Sequence, residues 1–208
     1  MSNLTIALAK GRLLEPSLKI FDALGYDTRE IRESRKLVVE NRGARFLLAK
    51  PMDVPIYVEY GAADAGIVGQ DALRESGVNV YEPLALDYGH CRLMVAGKPD
   101  YRDAEWRMIA GLRVATKYPR VAQKFFAARG LSVEIIEVYG SVELAPAVGL
   151  ADLIVDVVDT GRTLRANGLI ELEQVLQSQA ALIVNRAAHT LRAAEIRDLI
   201  EKVENRNS

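Results

Sequence analysis

Five short polar or glycine-bearing stretches follow apolar runs and carry groups suited to holding a phosphate ester. They are Lys10-Gly11-Arg12, Gly69-Gln70-Asp71, Lys117-Tyr118-Pro119, Tyr139-Gly140-Ser141-Val142-Glu143 and Asp159-Thr160-Gly161-Arg162-Thr163. The last is the richest. It offers backbone N–H groups at a helix start, two threonine hydroxyls, and a glycine that lets the backbone approach an anion. Asp156 and Asp159, at the end of the preceding apolar run, suit sugar hydroxyls or a metal rather than a phosphate. The same turn also reads as an ordinary helix start with Asp159 or Thr160 as its cap. Lys10, Arg12 and Arg35 supply cations for a polyanion, and an exposed basic pair is the plain alternative for Lys10 and Arg12.

Parallel strands alternating with helices place such turns at one end of a sheet, where α/β proteins bind ligands. The first strand is expected at Leu4–Ala9, followed by a helix over Leu14–Leu24 that stops at Gly25. Strands at Leu37–Glu40 and Arg45–Ala49 form a hairpin about Asn41-Arg42-Gly43. A helix over Pro51–Tyr60, a strand at Ala65–Val68 and a helix to Ser76 complete a β-α-β-β-α-β-α lobe. Two extended runs, Val78–Leu86 and Cys91–Ala96, carry the chain to a second lobe. There the alternation repeats: a strand at Leu112–Thr116, a helix from Pro119 to Gly130, a strand at Val133–Val138, and a helix through Ala147 with Glu143 in its first turn. Leu153–Val158 follows as a buried strand. Strands follow at Ile170–Ser178 and Ala180–Val184, and the last strand and one helix from His189 to Val203 return the chain to the first lobe. The expected boundaries are 1–90 plus 181–208 for lobe I and 91–180 for lobe II.

Composition narrows the function classes. The chain has 208 residues, half of them hydrophobic, with 27 Lys and Arg against 28 Asp and Glu. A net charge of -1 gives no footprint for nucleic acid or an acidic membrane surface. Cys91 is the only cysteine, which excludes an intrachain disulfide and argues against a structural zinc site. No apolar run nears the roughly 20 residues of a membrane span, and the start lacks the pattern of an export signal. A cytoplasmic setting is expected. His90 and His189 are read as structural.

The spacing Glu143-x5-Gly149-x-Ala151-x2-Ile154-x-Asp156-Val157-x2-Thr160-Gly161-x-Thr163-Leu164 resembles the signature of the ATP phosphoribosyltransferase family. The resemblance extends to Ile6–Arg12, Ser34–Leu37, Asp53–Asp64, Ala115–Tyr118 and Tyr139–Pro146, and so covers nearly the whole chain. An end near residue 208 matches the short form of the family, which lacks a C-terminal regulatory domain. The resemblance implies an α/β fold of two lobes like type II periplasmic binding proteins, each lobe an open sheet flanked by helices. It implies transfer of the 5-phosphoribosyl group of phosphoribosyl pyrophosphate to N1 of the adenine of ATP, the first step of histidine biosynthesis. It also implies a homodimer that assembles with a regulatory subunit resembling histidyl-tRNA synthetase.

On this reading Thr160, Gly161 and Thr163, with Asp159 and Arg162, hold the donor's 5-phosphate. Glu143 and Asp156 orient the loop or bind ribose hydroxyls. Arg12 and Arg35 face the pyrophosphate and the triphosphate, with Lys10 and Gly11 beside them. Mg2+ rides on the pyrophosphate, so no protein metal site is expected. Two rivals remain: a non-catalytic two-lobed small-molecule binding protein, and a regulatory subunit that has lost the chemistry.

Overall fold

A computed structural model describes residues 3–41, 43–102 and 105–206, with the side chain of Glu105 left out. The chain divides into two compact units, Met1–Gly89 with Gln179–Ser208, and His90–Ser178.

In the first unit β1 (Leu4–Ala9) is the sheet's centre, because its residues are apolar on both faces. It leads to α1 (Leu14–Ala23), α2 (Arg29–Glu33), β2 (Val38–Asn41), β3 (Ala44–Ala49), α3 (Val54–Glu59), β4 (Ala65–Gly69) and α4 (Gln70–Ser76). β1 pairs in parallel with β3 and β4, and β2 closes the edge as an antiparallel hairpin on β3. The hairpin's Arg42 lies outside the described residues; its neighbour Gly43 has φ +96, which favours glycine. Phe21 of α1 and Phe46 of β3 meet edge-on at 5.1 Å in the core beneath the parallel strands.

β5 (Tyr81–Gly97) and β9 (Ile170–Val184) each run through the unit boundary. Each is one strand where two were expected. The polar Asp87-Tyr-Gly-His90 stretch looked like a break, but Gly89 absorbs the irregularity at φ +69 while the backbone stays extended on both sides. The far half of β9 pairs antiparallel with β4.

The second unit holds β6 (Leu112–Thr116), α5 (Pro119–Ala127), β7 (Val133–Glu137), α6 (Leu144–Ala147), β8 (Leu153–Val158) and α7 (Arg162–Ala166). β8 lies between β5, antiparallel, and β6, parallel. Side chains alternate along β8. Leu153 and Val155 enter a cluster with Trp106 and Phe126, while Ile154 and Val158 enter another with Ala145 and Leu164. Asp156 falls on the second face, among apolar neighbours.

Three further expectations differ. α2 was unforeseen, since a five-residue helix that buries only Ile31 leaves no periodic pattern. Glu143 stands at the N-cap of the short α6, not in its first turn, and makes no capping hydrogen bond. The last helix is two, α8 (Arg186–Leu191) and α9 (Ala193–Glu204). The chain breaks at Arg192, whose guanidinium reaches Asp64 at 2.9 Å and Glu195 at 2.5 Å. Among the described residues no helix is long and apolar enough to cross a membrane.

Candidate functional site

In the second unit the site is built at the carboxyl end of β8. The strand stops at Val158, and Asp159 and Thr160 are exposed before the chain turns at the buried Gly161. Gly161 is the N-cap of α7 at φ +70, so neither Asp159 nor Thr160 caps this helix. The first N–H groups of α7 receive no side-chain cap, as a cradle for an anion requires. The turn is braced from outside. Arg165 donates to the Thr160 carbonyl at 2.9 Å, Arg162 Nε to Thr160 Oγ1 at 3.3 Å, and Asn167 to the Thr163 carbonyl at 2.9 Å. A Cβ at Gly161 would sit 2.9 Å from the Arg165 guanidinium and 3.0 Å from the Glu171 carboxylate. Glu171 is in turn neutralised by Arg92 at 2.9 Å. The backbone angle thus favours glycine there, and any larger side chain would have to displace the tips of Arg165 and Glu171.

Asp156 sits one strand residue pair behind this turn. Its burial pushes the carboxyl above the ordinary carboxylate range, and the nearby charge of Glu143 adds to that. Lys117 Nζ opposes both from 3.3 Å, and the Val157 N–H donates to Asp156 Oδ1 at 2.8 Å. Lys117 belongs to the turn after β6, whose Thr116 hydroxyl donates to the Val155 carbonyl at 2.6 Å and accepts from the Tyr118 N–H at 2.9 Å. The half-buried Glu143 follows Ser141, which holds φ +46, the one non-glycine residue with positive φ among those described. Asp156, Glu143 and Lys117 thus form a polar cluster with two carboxylates and one cation. That set suits sugar hydroxyls, which donate to one group and accept from another. It does not suit a caged metal ion, and among the described residues no group of three or more His, Cys, Asp or Glu could hold one.

In the first unit the turn after β1 is built differently. The Lys10 N–H donates to the Ala49 carbonyl at 2.8 Å, and the Leu14 N–H to the Gly11 carbonyl at 3.1 Å. Gly11 has φ +92, and Arg12 is exposed between these two anchors. Arg35 is exposed in the extended stretch between α2 and β2. A cavity of about 480 Å³ opens at the carboxyl ends of β1 and β3. Lys10, Lys50, Asp53 and Tyr57 supply its polar groups, and Leu37, Val38 and Leu47–Ala49 its apolar wall. Of the predicted residues only Lys10 lines it; Arg12 and Arg35 do not. Lys50, Asp53 and Tyr57 were missed, although Lys50-Pro-Met-Asp53 is itself a polar turn at a strand's carboxyl end. A second cavity, about 490 Å³, lies at the amino ends of β6 and β7 and contains no predicted residue.

Comparison with known proteins bears on this arrangement. A family model described as "HisG: ATP phosphoribosyltransferase" matches residues 50–205. A curated ATP phosphoribosyltransferase of Caldanaerobacter subterraneus is 48% identical over 206 residues, 98% of this chain and 97% of that one. Among solved structures, the ATP phosphoribosyl transferase (HisG:HisZ) complex from Thermotoga maritima contains a chain that superposes with a TM-score of 0.85 at 32% identity, over 97% of each chain. The alkanesulfonate-binding protein SsuA of Xanthomonas axonopodis pv. citri matches with a TM-score of 0.59 at 14% identity, over 99% of this chain and 73% of that one. The last likeness concerns the fold alone. It agrees with an α/β architecture of the two-lobed, type II periplasmic-binding-protein kind.

Proposed function

The chain belongs to the ATP phosphoribosyltransferase family, and we propose that it transfers the 5-phosphoribosyl group of phosphoribosyl pyrophosphate to N1 of the adenine of ATP. The C1–oxygen bond of the donor breaks, pyrophosphate leaves with the bonding pair, and the N1 lone pair forms the new C1–N bond. This is the entry step of histidine biosynthesis. The observation that carries the reading is an uncapped, braced Asp159–Thr163 turn inside a chain that matches a family enzyme over nearly its full length.

The chemistry asks little of a base, because N1 of adenine carries no proton at neutral pH. It asks for charge. Positive charge builds on the ribose ring while negative charge builds on the departing pyrophosphate, and groups that bind the latter more tightly in the transition state accelerate the step. We assign the 5-phosphate to Thr160, Gly161 and Thr163, with Asp159 and Arg162 at the edges of the turn. Glu143 and Asp156, with Lys117 between their charges, hold the ribose hydroxyls and keep the sugar aligned with the loop. Arg12 and Arg35 receive the growing charge of the leaving group, and Lys10 assists from the wall of its cavity. Mg2+ enters as part of the donor, bound to the pyrophosphate. The cytoplasm, where ATP and the donor occur, is the setting this reading requires.

A regulatory subunit of the HisZ kind is the expected partner, since a family relative occurs in a complex with one. The experiment is direct. The purified chain is mixed with ATP, phosphoribosyl pyrophosphate and Mg2+, alone and with that subunit, and pyrophosphate and a modified adenine chromophore are followed. Both should appear together. Neither appearing under either condition would overturn the reading.

A further inference from the structure

The backbone beneath Arg12 is fixed through its neighbour Leu13. Leu13 is the N-cap of α1, it is only 4% exposed, and no side chain caps that helix start. Its side chain lies in a socket opened by the missing side chain of Gly89, with Gly69 beside it. A Cβ on Gly89 would stand 2.2 Å from Leu13 Cδ2, far inside contact distance, and a Cβ on Gly69 would touch Leu13 Cδ1 at 3.8 Å. Gly89 is the last residue of the first unit on β5, and Gly69 ends β4. The backbone of Leu13 is tied to the same place. Ser17 Oγ donates to the Leu13 carbonyl at 2.6 Å and shares a 2.8 Å hydrogen bond with the hydroxyl of Tyr88, the residue before Gly89. Ser17 is 1% exposed, so this link is shielded from water. On the other side of Arg12, Lys10 is pinned to β3 through the Ala49 carbonyl at 2.8 Å.

We infer that Leu13, seated on Gly89 and Gly69 and tied through Ser17 to Tyr88, is the positioning residue for Arg12 in the phosphoribosyl transfer. The inference rests on the assignment of Arg12 to the leaving group. A long, flexible guanidinium stabilises a transition state only when its stem starts from a fixed point, and a misplacement of about 1 Å can cost roughly 10²-fold in rate. The socket supplies that fixed point without itself touching the reactants.

A double-mutant cycle tests it. Turnover and KM for both substrates are measured for the wild type, Leu13→Ala, Arg12→Ala and the double variant, each with its thermal unfolding midpoint. Leu13→Ala should lower kcat roughly tenfold with both KM values within about threefold, and should have no further effect in the Arg12→Ala background. Leu13→Met, which refills the socket, should recover most of the turnover. Gly89→Ala, which drives Leu13 out from the opposite side, should repeat the loss and likewise add nothing to Arg12→Ala. If Leu13→Ala does not fold, Leu13→Val takes its place in the cycle. Losses that multiply, or a Leu13→Ala variant (or the Leu13→Val that replaces it) with wild-type kcat, would overturn the inference while leaving the role of Arg12 standing. An Arg12→Ala variant with wild-type kcat would instead remove the leaving-group assignment, and the inference with it.

Discussion

Two strand-to-helix turns invite comparison, the one after β8 and the one after β1. Each contains a glycine at positive φ, Gly161 at +70 and Gly11 at +92. There the likeness ends. Gly161 is buried and hemmed in by Arg165 and Glu171, whereas a Cβ at Gly11 would meet nothing within 4 Å. The first turn presents backbone N–H groups and hydroxyls, with its basic residues turned to bracing the loop. The second presents side-chain cations on a short backbone pinned at both ends. A phosphate that stays attached to the sugar needs a fixed receptor, which backbone supplies well. A leaving group whose charge changes during the step is better served by cations. On the proposed assignment, a similar local motif serves ground-state anchoring in one unit and transition-state stabilisation in the other.

The sharpest way to break that contrast is at Gly161. Gly161→Val places a branched side chain against Arg165 and Glu171 and in the wrong backbone region. Donor affinity should fall by more than about 100-fold by calorimetry, some 2.7 kcal/mol. Circular dichroism should keep its folded signature. Unchanged affinity would mean that the turn does not hold the 5-phosphate.

Arg12→Ala and Arg35→Ala probe the other side. Each should lower kcat by tenfold or more, about 1.4 kcal/mol, with a smaller change in KM for the donor. Loss of affinity without loss of turnover would place these cations in ground-state binding and erase the distinction between the two turns.

The two turns were unequally legible in the sequence. Gly161 followed from an apolar run, a glycine and two threonines in one short stretch, because parallel strands and the phosphate affinity of helix starts leave local marks. Its braces did not. Arg165 is near in sequence, but Glu171 of β9 reaches Gly161, and Arg92 of β5 reaches Glu171, only through the tertiary arrangement of these strands, which no local pattern encodes. Asp156 was found as a polar break in an apolar strand, while its partner Lys117 stayed a bystander until β6 and β8 were seen side by side. Leu13 was invisible as anything but core, since its meaning depends on two glycines far along the chain. The break in the last helix falls at Arg192, whose partner Asp64 lies far along the chain, and the continuity of β5 rests on the backbone of Gly89, which a polar stretch does not reveal.

Asp156 offers a third, smaller test. Burial makes it hold its proton to higher pH when folded than when unfolded, so between those two values the folded chain binds more protons. Stability from this group is therefore fully present at lower pH and is lost as pH rises through the window just above the ordinary carboxylate range. Asp156→Asn lacks that loss. Chemical denaturation should show the variant gaining on the wild type as pH rises through the window, offset by whatever the unpaired, partly exposed Lys117 gives up. KM for the donor should rise roughly three- to tenfold, about 0.7–1.4 kcal/mol, if the carboxylate binds a ribose hydroxyl. A variant with unchanged KM would leave Asp156 as a buttress of the loop.

The smallest effect belongs to Gly11, and its smallness is the point. Gly11→Ala adds a methyl group to open space, so only the left-handed backbone is penalised, by about 1–2 kcal/mol of stability. The turn is held on both sides of this residue, by Lys10 on β3 and by Leu13 in its socket, so the strain is confined between two anchors. Donor affinity should change less than about twofold, and kcat should fall less than in Arg12→Ala. Thermal unfolding and steady-state kinetics on the same preparation separate the two readouts. If Gly11→Ala instead weakened donor binding as severely as Gly161→Val, the turn after β1 would be a second backbone cradle. The cations of Arg12 and Lys10 would then be secondary to the N–H groups beneath them.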